Sequence, residues 1–383
     1  MPPRSFMLLT VSLLAALHAY IGWRLLPDLA VAPWVQAAGL LALILSLVLV
    51  PTGLIARGIK RQPLADRVAW IGLLAMGLFS SLFVLTLGRD AMLLSASLIG
   101  ATGSTLTVWS ARAVPIIALL VTLIGFINAR RVARVLMVEV PIRDLPAALQ
   151  GFSIAQISDI HVGPTIKRGY LEAIVRRVNA LEPDLVAVTG DLVDGSVAQL
   201  RHHTAPLADL VSRHGTYFVT GNHEYYSNAP AWIAEIQRLG LTVLLNEHVV
   251  LDHDRANHRA QLLVAGVTDF SAHHFDESHR SDPAKAVAGA PPGIGLKLLL
   301  AHQPRSAAGA ADAGFDLQLS GHTHGGQFFP WNLFVPLQQP YTAGLHRLRQ
   351  LWVYTSRGTG YLGPPKRFGA PSEITHLRLV SAN

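Results

Sequence analysis

The sequence predicts a multi-pass α-helical membrane anchor followed by an α/β domain. Three observations predict it. Four long apolar runs fall within the first 129 residues. From residue 151 onward, short apolar strands alternate with amphipathic helices. Five of those strands run straight into a loop that carries Asp, Asn or His.

The apolar runs are 5–26 (SFMLLTVSLLAALHAYIGWRLL), 34–56, 68–88 and 114–129. About 20 apolar residues cross a bilayer as a helix. Three runs reach that length, and the fourth does so by extending back through TLTVWSARA if Arg112 snorkels to the interface. Buried soluble helices do not explain four such runs in a chain with only 14% charged residues and a mean hydropathy of +0.37. The first run is too long for a signal peptide and lacks a clear small-residue cleavage site.

Charge fixes the expected orientation. Residues 1–150 hold 12 Lys/Arg against 5 Asp/Glu, whereas 151–383 hold 19 of each, so the whole excess of +7 sits in residues 1–150. Arg57, Lys60, Arg61 and Arg67 fill one loop, and Arg130, Arg131 and Arg134 follow the fourth run. Positive residues favour the cytoplasmic side. Two helices separate these clusters, and Arg4 puts the N-terminus on the same side. The expectation is an inner membrane protein whose soluble part is cytoplasmic. The stretch 91–103 (AMLLSASLIGATG) is the exception: if it spans, the parity flips. The absence of Cys excludes disulfides and thiolate metal sites.

Three segments are expected: a membrane domain at 1–129, a linker at 130–150 containing Pro141, and an α/β domain at 151–383. In the last, strands are predicted at 152–158, 184–189, 216–220, 242–246, 248–252, 261–267, 296–301, 316–320 and 374–380. Helices are predicted at 170–181, around 197–212, and at 231–240 with a glycine stop. In α/β sheets the site lies beyond the carboxyl ends of the strands. Asp159, His161, Asp191, Asn222, His223, His302, His322 and His324 can therefore converge on one edge.

The H-T-H of residues 322–324, taken alone, fits an ordinary surface turn as well as a ligand pair. The other four loops shift the balance. Asp, Asn and His without thiolate suit Mn, Fe, Zn or Mg. Eight such groups exceed what one ion uses, but suit two ions sharing a carboxylate. Such a pair clamps a phosphoryl group and generates hydroxide for the attack.

The blocks SDIHVG, GDLVDG, GNHEYY, AHQP and SGHTHGG, in this order, closely resemble the calcineurin-like metallophosphoesterase family. The ending YTSRGTGYLGPPKRFGAPSEI is similar to its bacterial membrane-associated branch. The resemblance implies a four-layer αββα sandwich and two divalent metal ions. It implies Asp159, His161 and His324 on the first ion, Asn222, His302 and His322 on the second, and Asp191 bridging. It gives His223 the leaving group and Asp194 the orientation of His223. The residue-level alternative for Asp194 is a helix N-cap or turn residue. Gly195 stands where protein Ser/Thr phosphatases carry Arg, which argues against that activity. Arg357 is either a substrate contact or half of a structural pair. Tyr225 and Tyr226 either line the pocket or pack. His202, His203, His273 and His274 read as surface histidines.

The function expected is hydrolysis of a phosphate ester or pyrophosphate by a membrane-anchored two-metal enzyme acting on a small-molecule or lipid substrate beside the bilayer. A cyclic-nucleotide or nucleic-acid phosphodiesterase is the alternative. The neutral balance of 151–383 argues against extended nucleic acid. A non-catalytic sensor or transporter is a further alternative. Only His18 and Arg24 are expected within or near the apolar runs, which argues against a transport path.

Overall fold

The computed structural model describes residues 4–59 and 61–382. Lys60, one cation of the topology reading, lies outside them. The chain divides into two compact units. One comprises the residues up to 127 together with 363–368, and the other holds the rest.

The first unit contains α1 (Arg4–Leu25), α2 (Pro33–Ile55), α3 (Leu64–Leu98) and α4 (Ser104–Arg130), the last ending in the second unit. All four are long and apolar enough to cross a membrane. Residues 91–98, where a separate span was in question, simply continue α3, and a turn at 99–103 leads into α4. Gly53 and Gly72 bring α2 and α3 together: a Cβ on Gly72 would lie 2.4 Å from the Gly53 Cα.

The sequence reading undercounted the ionisable groups here. Arg89 and Asp90 lie inside α3 rather than at the end of a shorter helix. Arg24 donates to Asp90 at 2.8 Å, and Arg89 to Asp28 at 2.6 Å. The reason is mutual neutralisation: each charge finds an opposite one on a neighbouring segment.

In the second unit, β1 (Arg134–Ile142), β2 (Ser153–Ile157), β3 (Leu185–Thr189), β4 (Thr216–Val219), β5 (Thr242–Val243) and β12 (Glu373–Ser381) form one six-stranded sheet, ordered β1-β12-β2-β3-β4-β5. The strands β6 (Glu247–Arg255), β7 (His258–Gly266), β8 (Leu296–Leu300), β9 (Leu317–Ser320), β10 (Gly344–Leu348) and β11 (Leu351–Thr355) form the other, ordered β10-β11-β9-β8-β7-β6. Their facing sides share one core, in which Ile154, Leu185 and Val219 of the first sheet meet Leu262, Val264 and Leu298 of the second.

Helices cover both outer faces. The amphipathic α5 (Arg168–Asn179), which buries Leu171, Ile174, Val175 and Val178, lies on the first sheet with α6 (Val197–Thr204) and α8 (Ala229–Arg238). α9 (Pro283–Val287) and α10 (Ala307–Asp312) contribute to the core outside the second. The short α7 (Asn222–Tyr226) follows β4. The expected four-layer αββα sandwich is the observed fold.

Two expected boundaries change. The linker at 130–150 contains β1, an edge strand paired in parallel with β12. Pro141 is tolerated there because an edge strand has a side that needs no donor. Residues 363–368, expected in the catalytic domain, group with the helices instead. Lys366 Nζ donates to Gly77 O and Ser81 Oγ, and Arg367 N donates to Gly125 O at 2.8 Å. Gly125 leaves the room: a Cβ there would meet Lys366 Cγ at 2.7 Å.

Candidate metal centre

β2, β3, β4, β8 and β9 each end within three residues of a predicted site side chain. The parallel pairings β2–β3–β4 and β8–β9 align these ends. Asp159, His161, Asp191, His322 and His324 all adopt left-handed backbone angles, with φ between 50° and 70°. Such conformations cost about 1–3 kcal/mol each for non-glycine residues, and they persist where the surrounding fold imposes them. Gly221 and Gly321 make the turns possible. A Cβ at 321 would lie 2.0 Å from Ser158 Oγ and 2.2 Å from Asp159 Oδ2.

The predicted residues come together in three groups. Asp159, His161 and His324 form one, with ligand atoms mutually within 4.8 Å; Asp191, His302 and His322 form a second; and His161, Asp194 and His223 form a third. Asn222 opens α7 beside His223 and is buried. The Nε2 atoms of His161 and His324 face each other at 3.0 Å, and His324 Nε2 lies 3.5 Å from Asp159 Oδ1. His302 Nε2 is 3.2 Å from both Asp191 Oδ2 and His322 Nδ1. Asp191 Oδ2 also lies 3.9 Å from His161 Nε2, so its carboxylate stands between the first two groups. His302 Nδ1 is 2.7 Å from Thr189 O, which directs the other ring nitrogen inward.

Asp194 touches two histidines. Its Oδ1 is 2.5 Å from His223 Nδ1 and 3.3 Å from His161 Nδ1. The N-cap of α6 is Ser196, so the capping alternative for Asp194 does not hold. Arg357 pairs with Glu373 at 2.8 Å, the structural alternative. Tyr225 is buried with its hydroxyl 2.7 Å from His279 Nδ1, whereas the exposed Tyr226 stands edge-on to His223 with ring centres 5.2 Å apart. His202, His203, His273 and His274 join none of the three groups.

Sequence reasoning missed Glu224. It is fully buried and accepts from the N–H groups of Gly221 (2.6 Å), Leu192 (2.8 Å) and Asp191 (3.0 Å). It thereby ties the Asp191 loop to the Asn222 turn. Its position three residues after Gly221 was the available signal, since that spacing lets an acidic side chain reach back to the helix start.

The buried carboxylates and imidazoles shift one another's titration. Burial alone would raise Asp191, but His302, His223 and His161 hold it well below the usual carboxylate range. Burial likewise opposes the ionised Asp194, yet His161 and His223 keep its carboxyl low. Burial, then repulsion from Asp191, pushes Glu224 up to about 8. Burial disfavours a cationic His223, but the Asp194 hydrogen bond and the Asp191 charge lift it to about 9. Burial and the neighbouring His302 push His322 down to about 3, leaving it a neutral imidazole.

The donor set fits divalent metal. Asn222 Oδ1 is buried and accepts no hydrogen bond among the described residues, although an orphaned buried carbonyl costs about 1–3 kcal/mol. Buried carboxylates and imidazoles with nitrogens turned inward satisfy the ligand chemistry of Mn, Fe, Zn or Mg.

The chain is similar to several known proteins. A calcineurin-like phosphoesterase profile matches residues 152–326. The chain is 42% identical over 280 residues to a transmembrane protein with metallophosphoesterase domain from Bos taurus, covering 70% of this chain and 63% of that protein. It is 30% identical over 248 residues to an uncharacterized metallophosphoesterase of Bacillus subtilis, covering 62% of this chain and 82% of the other. A solved 5'-nucleotidase precursor from Thermus thermophilus shares 14% identity at a TM-score of 0.39, covering 60% of this chain and 54% of that one. The chain spans less than two thirds of the length of the bovine relative. It belongs to the calcineurin-like phosphoesterase family of metal-dependent enzymes, whose profile covers residues 152–326. Its four apolar helices and its transmembrane relatives make it a membrane protein.

Proposed function

We propose that the protein is a two-metal phosphoesterase whose catalytic half works on the cytoplasmic side of a bacterial-type inner membrane, on a phosphate ester or pyrophosphate carried by a lipid or nucleotide-linked lipid. The observation that carries the two-metal reading is the place of Asp191, with one carboxylate oxygen 3.2 Å from His302 and 3.9 Å from His161. Asp159, His161 and His324 would hold one ion, Asn222, His302 and His322 the other, and Asp191 both. When bound, such ions supply Lewis-acid charge against the phosphate oxygens and lower the pKa of water.

The remaining work belongs to the chain's own groups. Asp194 holds Nδ1 of His223, which leaves Nε2 as the nitrogen that can deliver a proton to the departing oxygen. Asp191 Oδ1 accepts from the His223 backbone N–H at 2.8 Å and fixes that residue's position. Glu224 holds the two loops in register.

The lipid assignment draws support from the anchor, which concentrates the site at a bilayer. The cytoplasmic assignment draws support from Arg61, Arg67, Arg130, Arg131 and Arg134 and from the four-helix parity. The test uses the purified full chain, stripped and reloaded with Mn, Mg, Zn or Fe, on bis-p-nitrophenyl phosphate, p-nitrophenyl phosphate and a panel of phospholipids and sugar-lipid pyrophosphates. Metal-dependent turnover that Asp191→Asn abolishes supports the enzyme reading. Failure to turn over any lipid-borne phosphate removes the lipid assignment.

A further inference from the structure

The described residues of the second unit also carry an exposed apolar rim. Residues 328–342 read FFPWNLFVPLQQPYT and hold no charge. Two short 3-10 turns, Trp331–Leu333 and Val335–Leu337, display this run at the surface. Leu333 is 62% exposed and Leu337 80% exposed, and Phe329, Trp331 and Phe334 are each exposed as well.

The rim is built onto the ligand turn. A Cβ on Gly326 would lie 2.2 Å from the Cα of Asn332, so the loop backbone rests directly on the turn that carries His322 and His324. Arg305 fastens its far end by donating to Gln338 O, and lies 5.2 Å over the ring of Phe270. Phe270 and Phe275 are exposed, and Phe275 meets Tyr226, which stands against His223. Exposed aromatic groups thus continue from the ligand turn to the His223 side of the cluster.

We propose that this rim seats in the headgroup–acyl boundary of a lipid bilayer and presents the metal cluster to phosphate groups at the membrane surface. The surface contact stands on its own; the presentation of phosphate rests on the phosphoesterase reading above. Large exposed apolar patches mark interaction sites. Aromatic and leucine side chains without charge suit the bilayer interface, where Trp and Tyr collect. The chain's own four helices keep a bilayer at high effective concentration beside this domain.

The chain has no cysteine, so single substitutions carry the sole label. Leu333→Cys and Leu337→Cys would each be labelled with a nitroxide in the full-length protein, reconstituted in phosphatidylglycerol/phosphatidylethanolamine nanodiscs. Val211→Cys, on an exposed loop before β4, is the aqueous control. The expected result is relaxation by oxygen several-fold greater than by a water-soluble nickel chelate at 333 and 337, with the ratio reversed at 211. Water-like accessibility at all three positions overturns the proposal. So does exclusion of both relaxants at 333 and 337, which assigns the rim to a protein partner or second copy. Unchanged thermal transitions verify that the labelled chains are folded. Because the readout is independent of turnover, a failed substrate assignment leaves it interpretable.

Discussion

The two halves of the molecule treat buried charge in opposite ways. In the membrane half, Asp28 and Asp90 are each closed on an arginine: Arg24 with Asp90, Arg89 with Asp28. In the catalytic half, Asp159, Asp191, Asn222 and four histidines cluster at the strand ends, and the buried Asn222 Oδ1 accepts no hydrogen bond among the described residues. Closed pairs hold helices together. An open set is stable only with protons or metal to complete it, which is why metal binding there is expected to release protons. Glycine shows the same division. Gly53 and Gly72 let two helices touch, whereas Gly221 and Gly321 let loops pass close to carboxylates.

The largest effect should come from breaking the open set. Asp191→Asn removes the carboxylate that two groups share, and turnover of a soluble diester should fall by about 10³-fold or more, read by steady-state kinetics. Gly321→Ala should be similarly damaging, because its methyl group would occupy the space of Ser158 Oγ and Asp159 Oδ2.

Next in size is His223, the proposed proton donor. His223→Ala should lower kcat by about 10²–10⁴-fold while metal content stays near wild type. With Nδ1 on Asp194, the imidazolium is held up to about 9. The folded-state pKa lies above the unfolded value, so this group's contribution to stability is fully present below about 6.5 and is lost as pH rises through about 9. The kcat profile should likewise descend as pH rises through about 9, and Asp194→Asn should move that limb downward.

Arg89→Ala sharpens the comparison from the other side. It leaves Asp28 without its partner inside the helical unit, and should destabilise the protein by about 1–3 kcal/mol in a detergent melt. Turnover of bis-p-nitrophenyl phosphate at low temperature should be unaffected. The smallest effect is expected at Arg168, whose exposed pair with Glu172 at 2.7 Å should contribute only about 0.3–0.5 kcal/mol.

Much of this contrast was legible in the sequence, for particular reasons. The strands that carry ligands are short apolar runs that end abruptly, and every predicted ligand falls just beyond such an end. The four helices follow from apolar length alone. Other features had no local signature. β1 sits between basic residues and Pro141, so it reads as a linker until β12 supplies its partner from the far end of the chain. The β10–β11 hairpin turns through Arg349 and Gln350, without the Asn-Gly or Gly-rich pair that marks such turns. Residues 363–368 join the helical unit because of slots at Gly77 and Gly125, which only packing reveals. Glu224 escaped notice because an acidic residue on a short helix usually faces solvent.

The proposed two-metal site stands or falls on the number of ions that Asp191 helps to hold. Elemental analysis of the purified full-length protein, beside Asp191→Asn and His223→Ala, measures it. About two divalent ions per chain are expected in the wild type and in His223→Ala, with a loss of metal in Asp191→Asn. A fully active wild-type enzyme with a single ion, or Asp191→Asn retaining both ions and full turnover, would contradict the shared-carboxylate site.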